Sequence, residues 1–146
     1  MSYNEISNIL VDSVVLPNKL LSNLEIIDAA KRLSVNGFRG VFLRDTLPKK
    51  AKLNACGILN LDSISDDGIH WVMWFKKGKD KFYFDSYGSY GMQSPSELIA
   101  YLKSPIFYNS ERVQQNGEVF CGHLCLFTLK QLPLGNNLQA VIHYLI

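Results

Sequence analysis

The chain contains no run of about 18 apolar residues, so no membrane-spanning helix is expected. Its first residues carry no basic patch ahead of an apolar core, so no secretory leader is expected either. Neither sign of charge dominates. The formal net charge is +2 and the pI near 8.4, too weak a bias to argue nucleic-acid binding by itself. The short basic runs at 48–52 and 76–81 read as solvated loops, with an anionic surface as the alternative partner. Cysteine is sparse and odd in number, three in all, at spacings that form no disulfide framework. A reducing, non-secreted compartment is therefore expected. No repeat, low-complexity tract or linker divides the chain. Its 146 residues read as one domain, 1–146, long enough to bury a core.

What is present is patterned. Ile6, Ile9 and Leu10 have the spacing of a short helix. Residues 22–35 predict a clearer one, with Ser22 as cap, Glu25 completing a capping box, and Leu24, Ile27, Ala30 and Leu33 near helical spacing. Gly37 is expected to end it in a left-handed conformation. Residues 53–61 read as a buried strand or a short helix, which periodicity does not separate. Residues 69–75 (IHWVMWF) predict a strand buried on both faces, 76–80 (KKGKD) a hairpin turn, and 81–86 (KFYFDS) its partner. A helix is expected over 94–103, with Ser94 as cap, Pro95 at its first position and Glu97 closing a capping box. Residues 105–115 read as extended, 121–132 as a central helix stopped by Pro133, and 136–146 as a final amphipathic element. Helices, then strands, then a helix suit an α+β fold rather than a βαβ repeat.

The stretch Gln114–Leu132, QQNGEVFCGHLCLFTLKQL, organises the chain. A polar turn leads into Cys121 and an apolar helical pattern follows at once. A cysteine in the first turn of a helix meets the positive end of the macrodipole, which favours the nucleophilic thiolate. His70 opens one predicted strand and Asp85 lies near the end of its partner. A hairpin centred near Gly78 makes them near-opposite neighbours on one face. The carboxylate would orient the imidazole, and the imidazole would take the thiol proton. Acyl transfer also needs donors for a developing oxyanion. The backbone N–H of Cys121 is one, and a side-chain amide upstream is the other, from Gln114, Gln115 or, third, Asn116.

Three strings, G-I-H-W (68–71), F-Y-F-D-S-Y-G (82–88) and V-Q-Q-N-G-E-V-F-C-G-H-L-C (113–125), together resemble the maturation proteases of adenoviruses, the adenain family. They are similar, more distantly, to the SUMO-deconjugating cysteine proteases. G-V-F-L-R-D-T (40–46) and K-L-N-A-C-G-I-L-N (52–60) extend the likeness, which covers roughly residues 38–132. The resemblance implies a papain-like α+β cysteine protease of adenain type, its central helix packed on a small, mostly antiparallel sheet. It implies His70 as general base, Asp85 as its orienter, Cys121 as nucleophile and a glutamine in the oxyanion hole. Gln114 has the adenain spacing to the cysteine and is preferred; Gln115 has that of the SUMO proteases. Trp71 is expected to line the cleft beside the histidine. The implied substrate is a polypeptide cut after glycine, which for a viral member means capsid or core precursors within the virion or the infected cell. The resemblance also brings an activating peptide or DNA as cofactor. Residues 94–113 hold no cysteine to which such a peptide could be disulfide-linked. The alternatives are a deconjugating protease for ubiquitin-like modifiers and, from a different class, a non-catalytic binding module.

Other residues read more plainly. Cys125, one turn beyond Cys121, and Cys56, in an apolar stretch, are expected in the core. His123 points away from Cys121 around the helix and is not the base. His143 reads as structural. A zinc site from Cys56, Cys121, His123 and Cys125 matches no common ligand spacing. Asp80 and Glu97 are the reserve acids, without the strand register of Asp85. Gly88 and Gly91 are loop glycines rather than a phosphate cradle.

Overall fold

The computed structural model describes residues 8–61, 70–88, 95–103, 105–114, 118–135 and 137–145. Among them lie four helices, a two-stranded hairpin and a five-stranded mixed sheet. The architecture is α+β.

The N-terminal segment forms a hairpin, not the short helix its apolar spacing suggests. Strands β1 (Asn8–Val11) and β2 (Val14–Pro17) pair antiparallel. Asp12 makes the turn with φ of +52°, a conformation aspartate tolerates better than most residues. Helix α1 (Asn23–Arg32) follows with the expected capping box. Ser22 Oγ accepts from Glu25 N–H at 3.2 Å, and Glu25 Oε1 accepts from Ser22 N–H at 2.9 Å. Its end differs from expectation. Ser34, at φ +55°, takes the left-handed position; its N–H donates to Lys31 O while Val35 N–H reaches Ala30 O. That is a Schellman closure, completed three residues before Gly37. Gly37, at φ +76°, turns the chain into β3 instead.

The sheet runs in the order β3 (Phe38–Leu43), β4 (Asn54–Asn60), β5 (Trp71–Lys77), β6 (Asp80–Phe84), β7 (Phe107–Tyr108). The stretch 53–61, open between strand and helix in the sequence, is thus a strand over Asn54–Asn60. The β4/β5 and β5/β6 pairs are antiparallel, but β3/β4 and β6/β7 are parallel. The sheet is therefore mixed rather than mostly antiparallel. The parallel β6/β7 pair needs a crossover, which α2 (Ser96–Leu102) supplies, so one βαβ unit is present. Pro95 sits at the N-cap of α2 rather than its first position, and no side chain caps that end. Ser94 lies outside the described residues. Glu97 pairs with Arg44 at 3.0 Å in place of a capping box.

β5 is buried on both faces, as its aromatic and β-branched composition demands. Trp71, Met73 and Phe75 face a core shared with α1, α3 (Cys121–Gln131) and α4 (Leu138–Leu145). Val72 and Trp74 face a second cluster with Leu98, Tyr101 and Leu102 of α2. Gly57, opposite Trp74 in β4, leaves the indole its space. α3 ends in a 3-10 turn, Leu132–Leu134, that absorbs Pro133. Near that end Lys130 Nζ donates to Leu33 O at 2.7 Å, tying α3 to the C-terminus of α1.

Candidate active site

Each candidate side chain sits where an element starts or stops. His70 immediately precedes β5, Asp85 immediately follows β6, and Cys121 is the first residue of α3. β5 and β6 pair so that Trp74 faces Tyr83 and Lys77 faces Asp80. Continued beyond the strand ends, that register sets His70 opposite Tyr87, not Asp85. Tyr87 does stack on the imidazole, with centroids 4.7 Å apart and planes 24° apart. Asp85 is the diagonal neighbour on the same face, and its Oδ1 lies 2.7 Å from His70 Nε2.

Cys121 lies close enough to the same imidazole to raise its pKa. Burial is the strongest single influence on His70 and pulls its pKa down; hydrogen bonds and charge from Asp85 and Cys121 outweigh it and raise the value to about 9. The imidazole is thus built to be charged at neutral pH.

The placement of Cys121 depends on its neighbour. A Cβ on Gly122 would lie 3.3 Å from both Leu21 Cδ1 and Trp71 Cδ1. The bare glycine lets the first turn of α3 lie against the indole. Trp71 itself is 2% exposed and donates from Nε1 to Leu21 O at 2.9 Å. It forms one wall of a cavity of about 400 Å³ shared with Val41, Phe42, Leu43 and Asn60.

The turn after β6 carries more of the arrangement than Asp85. Asp85 Oδ1 also accepts from Tyr87 N–H at 2.9 Å. Ser86 Oγ donates to Gln114 Oε1 at 2.7 Å, and Ser86 O accepts from the backbone N–H groups of Val113 and Gln114. Asn109, 2% exposed, clamps Asp85 from both sides: its Oδ1 accepts from Asp85 N–H and its Nδ2 donates to Asp85 O. Gly88, at φ +79°, approaches Ser110 O so closely that a Cβ would lie 2.5 Å from it. Sequence reasoning assigned nothing to Ser86, Tyr87 or Asn109. The signal for the first two was the turn-forming D-S-Y-G string, whose successive side chains converge on one site; Asn109 had none.

Gln114 is 1% exposed, and its Nε2 donates to Glu118 O at 2.6 Å. Tyr87 Oη lies 3.5 Å from the same nitrogen. The alternates Gln115 and Asn116 lie outside the described residues, as does Gly91. His123 and the other two thiols are occupied elsewhere. His123 Nε2 bonds Pro17 O at 2.8 Å. Cys125 Sγ bonds Trp71 O, and burial pushes its thiol well above the ordinary range. Cys56 is fully buried in β4, its thiol pushed up to about 12. Among the described residues no cluster of three or more His, Cys, Asp or Glu could hold a metal ion, and no helix is long and apolar enough to cross a membrane. Asp80 begins β6 opposite Lys77, and Glu97 pairs with Arg44, so neither reserve acid adjoins His70. No protein-family model matches the chain, and no curated protein matches it.

Proposed function

We propose that the protein is a cysteine endopeptidase, with Cys121 as nucleophile, His70 as base and Asp85 orienting the imidazole. One observation carries this reading: a single imidazole is bonded to Asp85 at 2.7 Å and is influenced by Cys121, which stands at a helix start. The thiolate attacks a peptide carbonyl, and the carbonyl oxygen takes up negative charge. The backbone N–H of Cys121, among the first N–H groups of α3 that lack an intrahelical acceptor, stabilises it, and the sequence resemblance assigns Gln114 to the same oxyanion site. The imidazolium protonates the departing amine, leaving a thioester that water hydrolyses.

The sequence resemblance to adenain-type proteases supports a papain-like fold of that type and a substrate cut after glycine, with viral capsid or core precursors as the substrate class. Cys121→Ala should abolish cleavage of such a precursor, while Cys125→Ala and Cys56→Ala should act mainly on stability. Retained proteolysis in Cys121→Ala would sink the mechanism. Offering a Gly-Gly-linked modifier fusion beside the precursor distinguishes a deconjugase from a maturation protease.

A further inference from the structure

The bonding of Gln114 raises a question about the oxyanion site. Its side chain is fully engaged. Oε1 accepts from Ser86 Oγ; one amide hydrogen goes to Glu118 O at 2.6 Å, and Nε2 is directed at Tyr87 Oη at 3.5 Å. A primary amide has two hydrogens. Neither is left to meet a substrate oxygen unless an internal bond is given up. A phenol that accepts from an amide keeps its own hydrogen to donate. The Tyr87 ring is held in place by stacking on His70, by the Arg112 guanidinium 5.0 Å from its centroid, and by its backbone N–H on Asp85.

We infer that the Tyr87 hydroxyl is a direct oxyanion donor, aimed by Gln114 and held beside the nucleophile by its stack on His70. This rests on the cysteine-protease reading and assigns a role that the motif residues alone do not. The phenol also senses the nucleophile: burial raises its pKa most, and the charge of Cys121 raises it next. It therefore stays protonated, as a donor must.

Two reagents separate this role from others. Iodoacetamide alkylates a thiolate by displacing iodide at a saturated carbon, so no oxyanion forms. p-Nitrophenyl acetate is attacked at its carbonyl. The C–S bond forms as the carbonyl pair moves to oxygen; that oxyanion collapses, expels p-nitrophenolate and leaves an acetyl thioester on Cys121. In Tyr87→Phe the stack is retained and the hydroxyl is lost. The expected result is an alkylation profile from pH 5 to 9 matching the unmodified protein, with acylation slowed roughly 100-fold, the lower end for a lost oxyanion donor. Acylation at the unmodified rate overturns the inference. So does an equal loss in both reactions, which would place the hydroxyl on the thiolate rather than the oxyanion. His70→Ala, run in parallel, tests the underlying reading. If it leaves the pH profile of alkylation at Cys121 unchanged, the thiolate–imidazolium pair does not exist, whatever Tyr87→Phe does.

Discussion

Replacing Asp85 by asparagine isolates charge from geometry. The amide oxygen can still accept from the imidazole and from Tyr87 N–H, the two bonds Asp85 Oδ1 now accepts. What disappears is the negative charge. The pKa of His70 rises from 6.5 to about 9 against a strong downward pull from burial. The hydrogen bond from Asp85 outweighs that from Cys121, and its charge acts more strongly than that of Cys121. Losing an opposite charge at hydrogen-bond range should lower the titration midpoint by on the order of 1 pH unit, about 1.4 kcal/mol favouring the charged imidazole. The assay is the NMR titration of the His70 Cε1 proton, with iodoacetamide labelling of Cys121 as the chemical counterpart. Labelling near pH 7 should slow as the thiolate loses its cation. A midpoint that moves by less than about 0.5 would refute the claim that Asp85 holds the imidazole charged. The same logic fixes the sign of the stability effect. Because the folded-state value is raised, the stabilisation from His70 is fully present below about pH 6.5 and is lost as pH climbs through about 9.

Three further outcomes are expected. Gln114→Ala should slow cleavage roughly 100-fold and lower the melting temperature, since it removes the bonds to the Ser86 hydroxyl and the Glu118 carbonyl; unchanged turnover would remove Gln114 from the oxyanion site. Gly57→Ala places a Cβ 2.8 Å from Trp74 Cζ2 and should destabilise by about 1–3 kcal/mol in denaturant titration, leaving the pH profile of Cys121 alkylation intact; an altered profile would mean the site feels the far face of β5. His123 is pushed down, chiefly by burial, so the fold favours its neutral form and stability should fall as pH drops below about 6.5. His123→Gln keeps an N–H for Pro17 O and does not titrate, so its melting temperature should vary less between about pH 7 and pH 5; an equal slope in both proteins would show that another group governs acid stability.

Local chemistry was legible in the sequence wherever one signal acted alone. The Ser22–Glu25 capping box, the doubly buried β5 and the helix beginning at Cys121 each follow from a few adjacent residues. The misreadings share a cause, namely two patterns competing for one segment. Residues 8–17 offer weak helical spacing and also β-branched strand residues, and the Asp12–Ser13 turn lacks the Asn-Gly or Asp-Gly signature of a tight hairpin. At the end of α1 a serine took the position glycine was expected to fill, because the Schellman bonds to Ala30 and Lys31 repay its strained φ. The His70–Asp85 pairing was legible, but through a register one residue off; the true one puts Tyr87 opposite His70 and leaves Asp85 to reach across diagonally. Sheet order was not legible, since parallel pairing of β3 with β4 and of β6 with β7 depends on crossovers that leave no periodic mark.

The joint between β6 and β7 sets the order in which the molecule comes apart. β7 is paired through only Phe107 and Tyr108, whereas β4 and β5 share seven paired positions. Yet the segment running on from β7 holds Asn109, which clamps Asp85, and Gln114, which is bonded to Ser86. The acid–base pair is thus anchored across the shortest ladder in the sheet. The β4–β6 meander can persist after that ladder opens, while Asp85, Ser86 and Tyr87 lose their common support. Reactivity at Cys121 is then a gauge of the weakest cooperative unit rather than of the fold as a whole, and it fades in denaturant before the sheet itself dissolves.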